Sequence, residues 1–228
     1  MVHVTTRRVK TSAGPTRQAP GPSAPAADGR RERWRSHNEA RRTEFIEAAV
    51  TAVRRSGPNI GLDQVCAVAK VTKPVIYRHF RDKDDLFAAV LSWIADTVFL
   101  PRIAARLDPQ QDDRDLLWST VDGYVALVLE EPQLYRFVFA HNTLGERGDF
   151  VGSMEAAVAE ALAAMMAVRL QEHGRDPSAA EPWAYGVVGM VQLSTHRWLD
   201  HATVEQDRFV DLLTDLAWRG LSEQLPRR

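Results

Sequence analysis

Cysteine is nearly absent from this sequence: among its 228 residues there is one, Cys66. A single cysteine excludes an internal disulfide framework. Cys66 lies in a segment of helical pattern with apolar neighbours at Val65 and Val68, so we expect a packed, unreactive thiol.

Long apolar runs are also missing. No stretch approaches the roughly 20 consecutive apolar residues of a membrane-spanning helix. The N-terminal residues are polar, basic and proline-rich, and they lack the apolar core of a signal peptide. We therefore expect a cytoplasmic protein with no membrane association.

Residue sets typical of enzymes and metal sites are equally scarce. The sequence has no nucleophile-and-base set, no glycine-rich phosphate loop and no zinc-ligand spacing, so we predict neither an enzyme nor a bound cofactor. His196, Asp200 and His201 share a helix end and could hold a metal ion, but such residues are more often solvated and no cysteine accompanies them. We predict no metal site.

Charge is divided unevenly along the chain, although the net charge is only -1. Residues 1–83 carry 17 Lys and Arg against 7 Asp and Glu, whereas residues 84–228 carry 12 against 23. A basic part joined to an acidic part favours nucleic-acid binding by the basic part, because phosphate neutralisation contributes to such affinity. The alternatives are a merely solvated charged surface, or an architectural DNA binder, which would need basic surface over the whole chain.

Apolar residues recur at helical spacing through most of the chain, and no segment alternates as a strand would. The pattern predicts an all-α protein with an N-terminal three-helix helix-turn-helix unit and a larger C-terminal helical body. We expect a disordered basic arm over residues 1–33, the helix-turn-helix domain over residues 34–82 and the body over residues 83–228.

Caps and turns mark the limits of the first helices. Order is expected to begin near Ser36, and the first helix to end at Ser56-Gly57-Pro58. A second helix is predicted over residues 62–69, and after a break at Lys70-Val71 a third begins with Thr72 as its N-cap. Two short helices separated by three or four residues are the helix-turn-helix layout.

The segments that follow are also helical in pattern. Asp82 is predicted to cap a long helix that Pro101 kinks and that continues to Leu107. Further helices are expected at residues 112–130, 133–140, 149–173, 180–200 and 205–224.

The stretch from Val71 to Lys83 carries side chains suited to DNA. Lys73, at the start of the predicted third helix, can donate to guanine edges in the major groove. Its neighbours can contact base edges or thymine methyl groups: Thr72, Pro74 and Val75. Donors for phosphates follow: Tyr77, Arg78, His79 and Lys83. Ile76 and Phe80 lie four residues apart and are predicted to face inward.

These residues carry a family resemblance. The chain resembles TetR-family transcription regulators, and in particular an actinobacterial-type subgroup, in the run Val71-Thr72-Lys73-Pro74-Val75-Ile76-Tyr77-Arg78-His79-Phe80. The resemblance covers roughly residues 40–90. It departs at Lys70, which stands where the family usually has a turn glycine. A left-handed conformation there costs a lysine roughly 1 kcal/mol, and Lys70 adds a cation beside the DNA-facing surface.

The resemblance implies a homodimer in which the last two helices form a four-helix bundle with those of a second subunit. Compatible residues are small ones on the penultimate helix and an apolar stripe on the last: Gly186, Val187, Gly189, Met190 and Leu193, then Phe209, Leu212, Leu213, Leu216, Ala217 and Leu221.

A binding site for a small effector in the body is also implied. Such a pocket is lined by large apolar and aromatic groups with a few polar ones, which favours an apolar ligand such as an acyl chain, a lipid-like metabolite or a drug. The candidate lining residues are Trp93, Trp118, Tyr124, Phe137, Met165, Gln192 and His196.

These features predict a ligand-responsive repressor that binds a pseudo-palindromic, double-stranded DNA operator and is released by its effector. The effector would shift the long helix near Asp82 and so move the two recognition helices away from the spacing of about 34 Å that successive major grooves require. The alternative is a helical ligand-binding or scaffold protein without specific DNA binding, for which Lys70 is the strongest argument.

Overall fold

Helices form the regular structure of the residues described by the computed structural model, which are 25–106, 108, 110–142 and 150–222. No strand occurs among them, which confirms the predicted all-α class. Ten α-helices lie in these residues: α1 (Pro25–Ser56), α2 (Leu62–Ala69), α3 (Lys73–Ile76), α4 (Lys83–Ile94), α5 (Leu100–Ala104), α6 (Asp113–Glu130), α7 (Pro132–Ala140), α8 (Phe150–Glu172), α9 (Ala180–Asp200) and α10 (Gln206–Ser222). A π-turn, Ala95–Phe99, joins α4 to α5, and a 3₁₀ helix, Pro177–Ala179, precedes α9.

Helix α1 begins at Pro25, so the predicted start near Ser36 is wrong. Proline suits the first turn of a helix, where its missing N–H is not needed, and the alanine, arginine and glutamate residues that follow favour helix. Residues 1–24 of the predicted arm lie outside the described residues, and residues 25–33 are helical. The chain divides within α1 into two units, residues 1–39 and 40–228.

The predicted end of α1 is confirmed. The helix stops at Ser56, and Gly57 follows with a φ of 87°. This left-handed conformation is readily adopted by glycine, and Pro58 cannot continue a helix. Helix α2 occupies residues 62–69, as predicted.

One apolar core is shared by α1, the helix-turn-helix, α4 and α7. Its fully buried large side chains include Phe45, Ile76, Phe80, Leu86, Phe87, Leu134 and Phe137. The ring of Phe87 on α4 meets that of Phe137 on α7 edge-on, with 5.3 Å between centroids. The burial of Ile76 and Phe80 confirms that they face inward. Because the core is shared, the helix-turn-helix is coupled to the body by direct packing.

The long helix after the helix-turn-helix is interrupted one turn before Pro101. Asp82 caps α4 as predicted, since its carboxylate accepts a hydrogen bond from the Asp85 N–H at 2.8 Å. In the π-turn the Leu100 N–H donates to the Ala95 carbonyl, five residues back. Pro101 has no N–H, and its ring would crowd the carbonyl of Thr97 in a regular helix, so a wider turn relieves that clash. This π-turn lies next to the position of the predicted kink at Pro101. Leu107, the predicted helix end, lies outside the described residues.

A second apolar cluster holds α6, α9 and α10 together. Trp198 stacks on Phe209 with 4.7 Å between ring centroids, and its indole N–H donates to the Val204 carbonyl at 2.9 Å. Helices α6 to α10 begin and end within one residue of their predicted limits wherever those limits are described. Residues 149 and 224 of the predictions lie outside the described residues.

Two helical segments, Lys83–Ala104 and Phe150–Glu172, are long and apolar enough to span a membrane by length and composition. Each contains charged residues, such as Asp96 in the first and Glu155 in the second, so neither is an uninterrupted apolar run. The first is half buried in the shared core. Of the apolar stretch in the second segment 11% is buried. Because the core helices of soluble proteins can have the same composition, length and apolar character alone do not assign either segment to a membrane.

His141, directly after α7, makes part of the shared core sensitive to pH. Its ring stacks on Phe137 at 4.3 Å and meets Phe87 edge-on at 5.2 Å between centroids. Burial lowers the pKa of His141 from 6.5, and the charge of Lys83 acts in the same direction, while the Phe137 carbonyl and Asp84 oppose them. The folded protein therefore favours the neutral imidazole of His141.

We expect the free energy of unfolding to fall as the pH drops below about 6.5, because the unfolded chain then binds a proton that folded His141 does not. Urea unfolding at about pH 7.5 and about pH 5.5 measures this decrease. The decrease should be smaller for His141→Gln than for the unmodified protein. An equal decrease in both would show that His141 does not contribute.

Candidate DNA-binding surface and ligand cavity

The turn between α2 and α3 has the geometry that the resemblance implies. Lys70 adopts φ 55° and ψ 41°, the left-handed conformation usually reserved for glycine, and it is the one non-glycine residue with positive φ among those described. The Val71 N–H donates to the Cys66 carbonyl at 3.1 Å and closes the end of α2. Lys70 therefore takes up the left-handed conformation that a turn glycine would adopt.

Replacing Lys70 by glycine should stabilise the fold. Removing the Cβ relieves a strain of roughly 1 kcal/mol, so we expect Lys70→Gly to raise the free energy of unfolding by up to about that amount in urea titrations. Lys70→Ala keeps the Cβ and is the matched control, since it removes the charge without relieving the strain. Equal stability of the two variants would contradict this account.

Cys66 lies half-buried on α2 and packs against the shared core. Burial raises the pKa of its thiol, and the charge of Asp63 adds to the effect. The thiol therefore stays protonated at neutral pH, as expected of a packed, unreactive cysteine.

The first turn of α3 presents exposed side chains around Lys73. Thr72 occupies the N-cap position, although its hydroxyl makes no capping hydrogen bond, and Pro74 lies in the first turn. The Lys73 Nζ lies 2.9 Å and 3.0 Å from the two carboxylate oxygens of Asp63 on α2. This hydrogen bond raises the pKa of Lys73, and Tyr77, one turn further along the chain and exposed, adds to it. Lys73 is thus fully charged and held at the start of the helix.

Three other predicted DNA contacts differ in exposure. Arg78 and Lys83 are exposed, whereas Val75 is half-buried against the shared core. Lys83 places its Nζ 5.0 Å from the centre of the Phe87 ring. This position ties a cation at the start of α4 to the shared core.

His79 is more enclosed than a simple phosphate donor. Its ring is half-buried and tilted against Phe45, with 5.3 Å between centroids. Its carbonyl accepts a hydrogen bond from Arg42 of α1, whose guanidinium also lies 4.1 Å from the centre of the Phe80 ring. Arg42 on α1 therefore supports the residues that directly follow α3. Sequence reasoning missed this residue because the contact joins positions 37 residues apart.

An apolar cavity of about 120 Å³ lies in the body, bounded by α5 to α10. Three of the predicted ligand-binding residues line it: Tyr124, Met165 and Gln192. The largest share of its wall comes from α8, whose apolar contributors recur every three or four residues: Val151, Met154, Val158, Leu162, Met165 and Met166. Ile103, from α5, also belongs to the wall.

Four predicted ligand-binding residues lie outside the cavity wall. Phe137 is fully buried in the shared core, and Trp93 packs against the same core. Trp118 packs against the second cluster and donates its indole N–H to Asp211 at 3.0 Å. His196 is exposed on α9, with its Nδ1 3.4 Å from the Tyr135 hydroxyl. An aromatic side chain on a helix can fill the core as well as line a ligand cavity. The periodic spacing of apolar residues in the sequence does not distinguish these two positions.

Polar groups lie at separate places in the cavity wall. The Arg169 guanidinium of α8 is 2.6 Å from the Asp113 carboxylate and donates to the Gln111 carbonyl at 3.2 Å. Burial raises the pKa of Tyr124, which also lines the cavity, well above its usual range, and raises that of Tyr135, which belongs to the shared core and not to the wall, to about 12. Both phenols therefore stay neutral and serve as hydrogen-bonding groups.

The outer faces of α9 and α10 expose apolar residues. Leu193 on α9 is 71% exposed, and Leu216 on α10 is 64% exposed. On the same helices, a Cβ added at Gly186, Gly189 or Gly220 would meet open space. Phe209, Leu213 and Ala217, the other half of the predicted α10 stripe, face the protein's own second cluster.

No group of three or more His, Cys, Asp and Glu side chains is positioned to hold a metal ion in the part of the chain that the structure describes. Asp200 instead accepts a hydrogen bond from Arg136 at 3.2 Å.

Comparison with known proteins bears on both parts of the chain. Residues 45–90 match the family model for bacterial regulatory proteins of the tetR family, and residues 102–227 match the model for the C-terminal domain of tetracycline repressor-like proteins. The chain is also 38% identical over 194 residues to an uncharacterized helix-turn-helix-type transcriptional regulator of Mycobacterium tuberculosis, covering 85% of this chain and 82% of the relative. The chain belongs to the TetR family.

More distant TetR-type relatives agree in sequence and in fold. The transcriptional activator FasR of Mycolicibacterium smegmatis is 26% identical over 208 residues, covering 91% of this chain and 94% of that protein. A TetR-like regulator from Rhodococcus sp. RHA1 superposes with a TM-score of 0.58 at 25% identity, covering 79% of this chain and 94% of the other. A TetR-family regulator from Streptomyces coelicolor superposes with a TM-score of 0.64 at 18% identity, covering 82% of each chain, which supports the fold.

Membership in the TetR family confirms the predicted class of DNA-binding transcription regulator. Members bind DNA operators, typically as dimers and as repressors, and respond to small-molecule effectors. The family and the relatives found here are regulators and not enzymes.

Proposed function

We propose that this TetR-family protein is a cytoplasmic, homodimeric repressor that is released from its operator by a small, largely apolar effector. The observation that carries this proposal is that consecutive helices connect the recognition helix, α3, to the cavity. Helix α4 starts seven residues after α3 ends and leads through the π-turn into α5, whose Ile103 lines the cavity. A ligand that displaces Ile103 therefore acts on the element next to the recognition helix.

On DNA, the first turn of α3 enters the major groove and Lys73 donates to a base edge. Exposed neighbours contact bases or backbone around it: Lys70, Thr72, Pro74, Tyr77, Arg78 and Lys83. The half-buried Val75 and His79 contribute at the edge of this surface. Arg42 supports this surface from behind by holding the His79 carbonyl. The basic balance of residues 1–83 adds the sequence-independent attraction to phosphate.

The dimer forms through the outer faces of α9 and α10. Exposed leucines such as Leu193 and Leu216 are costly to leave in water, and the glycines at 186 and 189 allow close approach of a second helix. A two-fold axis through these faces gives a four-helix bundle with a recognition helix on each side.

Arginine at both Leu193 and Leu216 should give a monomer. Two charges buried in the interface cannot be compensated, so light scattering coupled to gel filtration should show half the mass of the unmodified protein. Val168→Arg is the matched control, because Val168 is an exposed apolar residue on α8 and should tolerate arginine without loss of the dimer. A double variant that stays dimeric would place the interface elsewhere.

Ligand binding shifts a two-state equilibrium of the dimer. With the cavity occupied, α5 and α4 move together. The recognition helices of the two subunits then leave the spacing of about 34 Å that successive major grooves require. The ligand must favour the released state for this to happen, since equal affinity for both states would shift nothing.

The decisive experiment is a gel shift with the purified protein and duplex DNA from the region upstream of its own gene, with excess competitor DNA and a salt titration. Binding that survives competitor and falls steeply with salt supports a sequence-specific regulator. If neither this DNA nor selection from random DNA gives specific binding, the alternative holds, namely a helical ligand-binding or scaffold protein.

The sign of regulation needs its own test, because one relative, FasR, is described as an activator. A reporter gene placed behind the operator should be expressed more strongly when the regulator is deleted. Lower expression on deletion would identify an activator instead.

A further inference from the structure

We infer that the cavity takes an elongated ligand with a terminal carboxylate, and that Arg169 binds this carboxylate. The inference rests on the proposed role of the cavity as effector site and specifies the chemical class of the effector. Helix α8 lines the cavity from Val151 to Arg169, a length of about 27 Å at the helical rise. The cavity volume of about 120 Å³ is small for that length. A narrow channel of this kind suits an unbranched chain better than a compact ring system.

The charged groups on α8 give the channel a direction. Arg169 lies at one end, and Glu155 lies about 21 Å away along the helix, toward the other. Between them the α8 wall is apolar: Val158, Leu162, Met165 and Met166. A carboxylate near Glu155 would meet a like charge, whereas near Arg169 it meets a guanidinium that can bind it in place of the Asp113 carboxylate. The ligand therefore lies with its head at Arg169 and its apolar tail toward Val151.

Arg169 is placed to exchange one carboxylate for another. Its side chain is only 13% exposed, so an ion pair there is little screened by water. Its guanidinium lies 2.6 Å from the Asp113 carboxylate and also donates to the Gln111 carbonyl at 3.2 Å. Asp113 lies in the first turn of α6, where the helix dipole stabilises a carboxylate that has lost its cation. A ligand carboxylate can thus replace Asp113 while the guanidinium stays paired, which neither a neutral nor a cationic head group can do.

The test compares three probes of equal chain length in the full-length protein: dodecanoate, dodecanol and dodecyltrimethylammonium, each below its micelle concentration. Displacement of a fluorescent apolar dye gives the affinities. We expect dodecanoate to bind about tenfold more tightly than dodecanol, as a charge-assisted hydrogen bond implies, and the cation to bind most weakly. Arg169→Gln should abolish the preference for the acid and leave dodecanol binding unchanged.

Two further variants keep the test decisive if Arg169→Gln fails to fold. Asp113→Asn removes the competing carboxylate, so it should raise dodecanoate affinity several-fold and leave dodecanol affinity unchanged. Arg114→Gln is the matched control: Arg114 pairs with Asp215 at 2.8 Å and is not in the cavity wall, so the preference for the acid should persist.

The inference is overturned if dodecanol or the cation binds as tightly as dodecanoate, or if Asp113→Asn weakens binding of the acid. These measurements use no DNA. Failure of the proposed function appears separately, as dodecanoate binding that leaves the gel shift unchanged.

Discussion

We expect replacement of Lys73, Tyr77 and His79 by alanine to lower the affinity of the protein for its operator by at least about hundredfold. A specific base contact contributes roughly 1–3 kcal/mol, and the loss of phosphate donors adds to this. Lys73 and Tyr77 are both exposed and lie one turn apart, and Lys73 reaches a base edge by giving up its contact with Asp63. Losing Lys73 should also make the salt dependence of binding shallower. Gel shifts over a range of salt concentrations measure both effects.

The packing of His79 against Phe45 calls for a second variant, in which Lys73 and Tyr77 alone are replaced. This variant leaves the inner packing intact and should still lose most of the affinity. Arg102→Ala is the control, since Arg102 is an exposed cation of the body that pairs with Glu130 at 3.1 Å. Equal DNA affinity of the double variant and the control would remove α3 as the reading element.

Phe87→Ala costs about 3–5 kcal/mol of the free energy of unfolding. The side chain is fully buried between α4 and α7, where its ring meets Phe137 and His141. Truncation loses the transfer free energy of the ring and leaves a cavity that the surrounding helices fill only in part. Urea unfolding followed by circular dichroism measures the loss.

Because this core is shared, helix-turn-helix and body should unfold in one transition in the variant as in the unmodified protein. Val168→Ala is the control: Val168 is exposed, so its truncation should change stability by no more than about 0.5 kcal/mol. Two separate transitions would contradict a shared core.

Local chemistry made much of the helix-turn-helix predictable. Gly57 and Pro58 end α1, and Asp82 caps α4, because each acts through its own backbone or a neighbouring N–H. The start of α1 was not predicted, since alanine and arginine residues after Pro25 permit a helix without requiring one. The π-turn also escaped prediction: Pro101 signals a disturbed helix, but several geometries relieve the same clash.

The cavity was predicted only in part, for a related reason. Tyr124, Met165 and Gln192 line it, whereas Trp118 and Phe137 fill the protein's own core. Both groups have the same apolar character and the same helical period. Which of them faces a space depends on how α5 to α10 pack, and packing involves residues far apart in the sequence.

By itself, the sequence determined the all-helical class, most helix limits and the resemblance to the TetR family, because hydrogen bonding, capping, helical period and short motifs act within a few residues. Only the tertiary structure decided that Arg42 braces His79, that Lys73 is held by Asp63, and that Arg169 and Asp113 meet in the cavity wall. These contacts join different helices, and their distances follow from the packing of the whole chain.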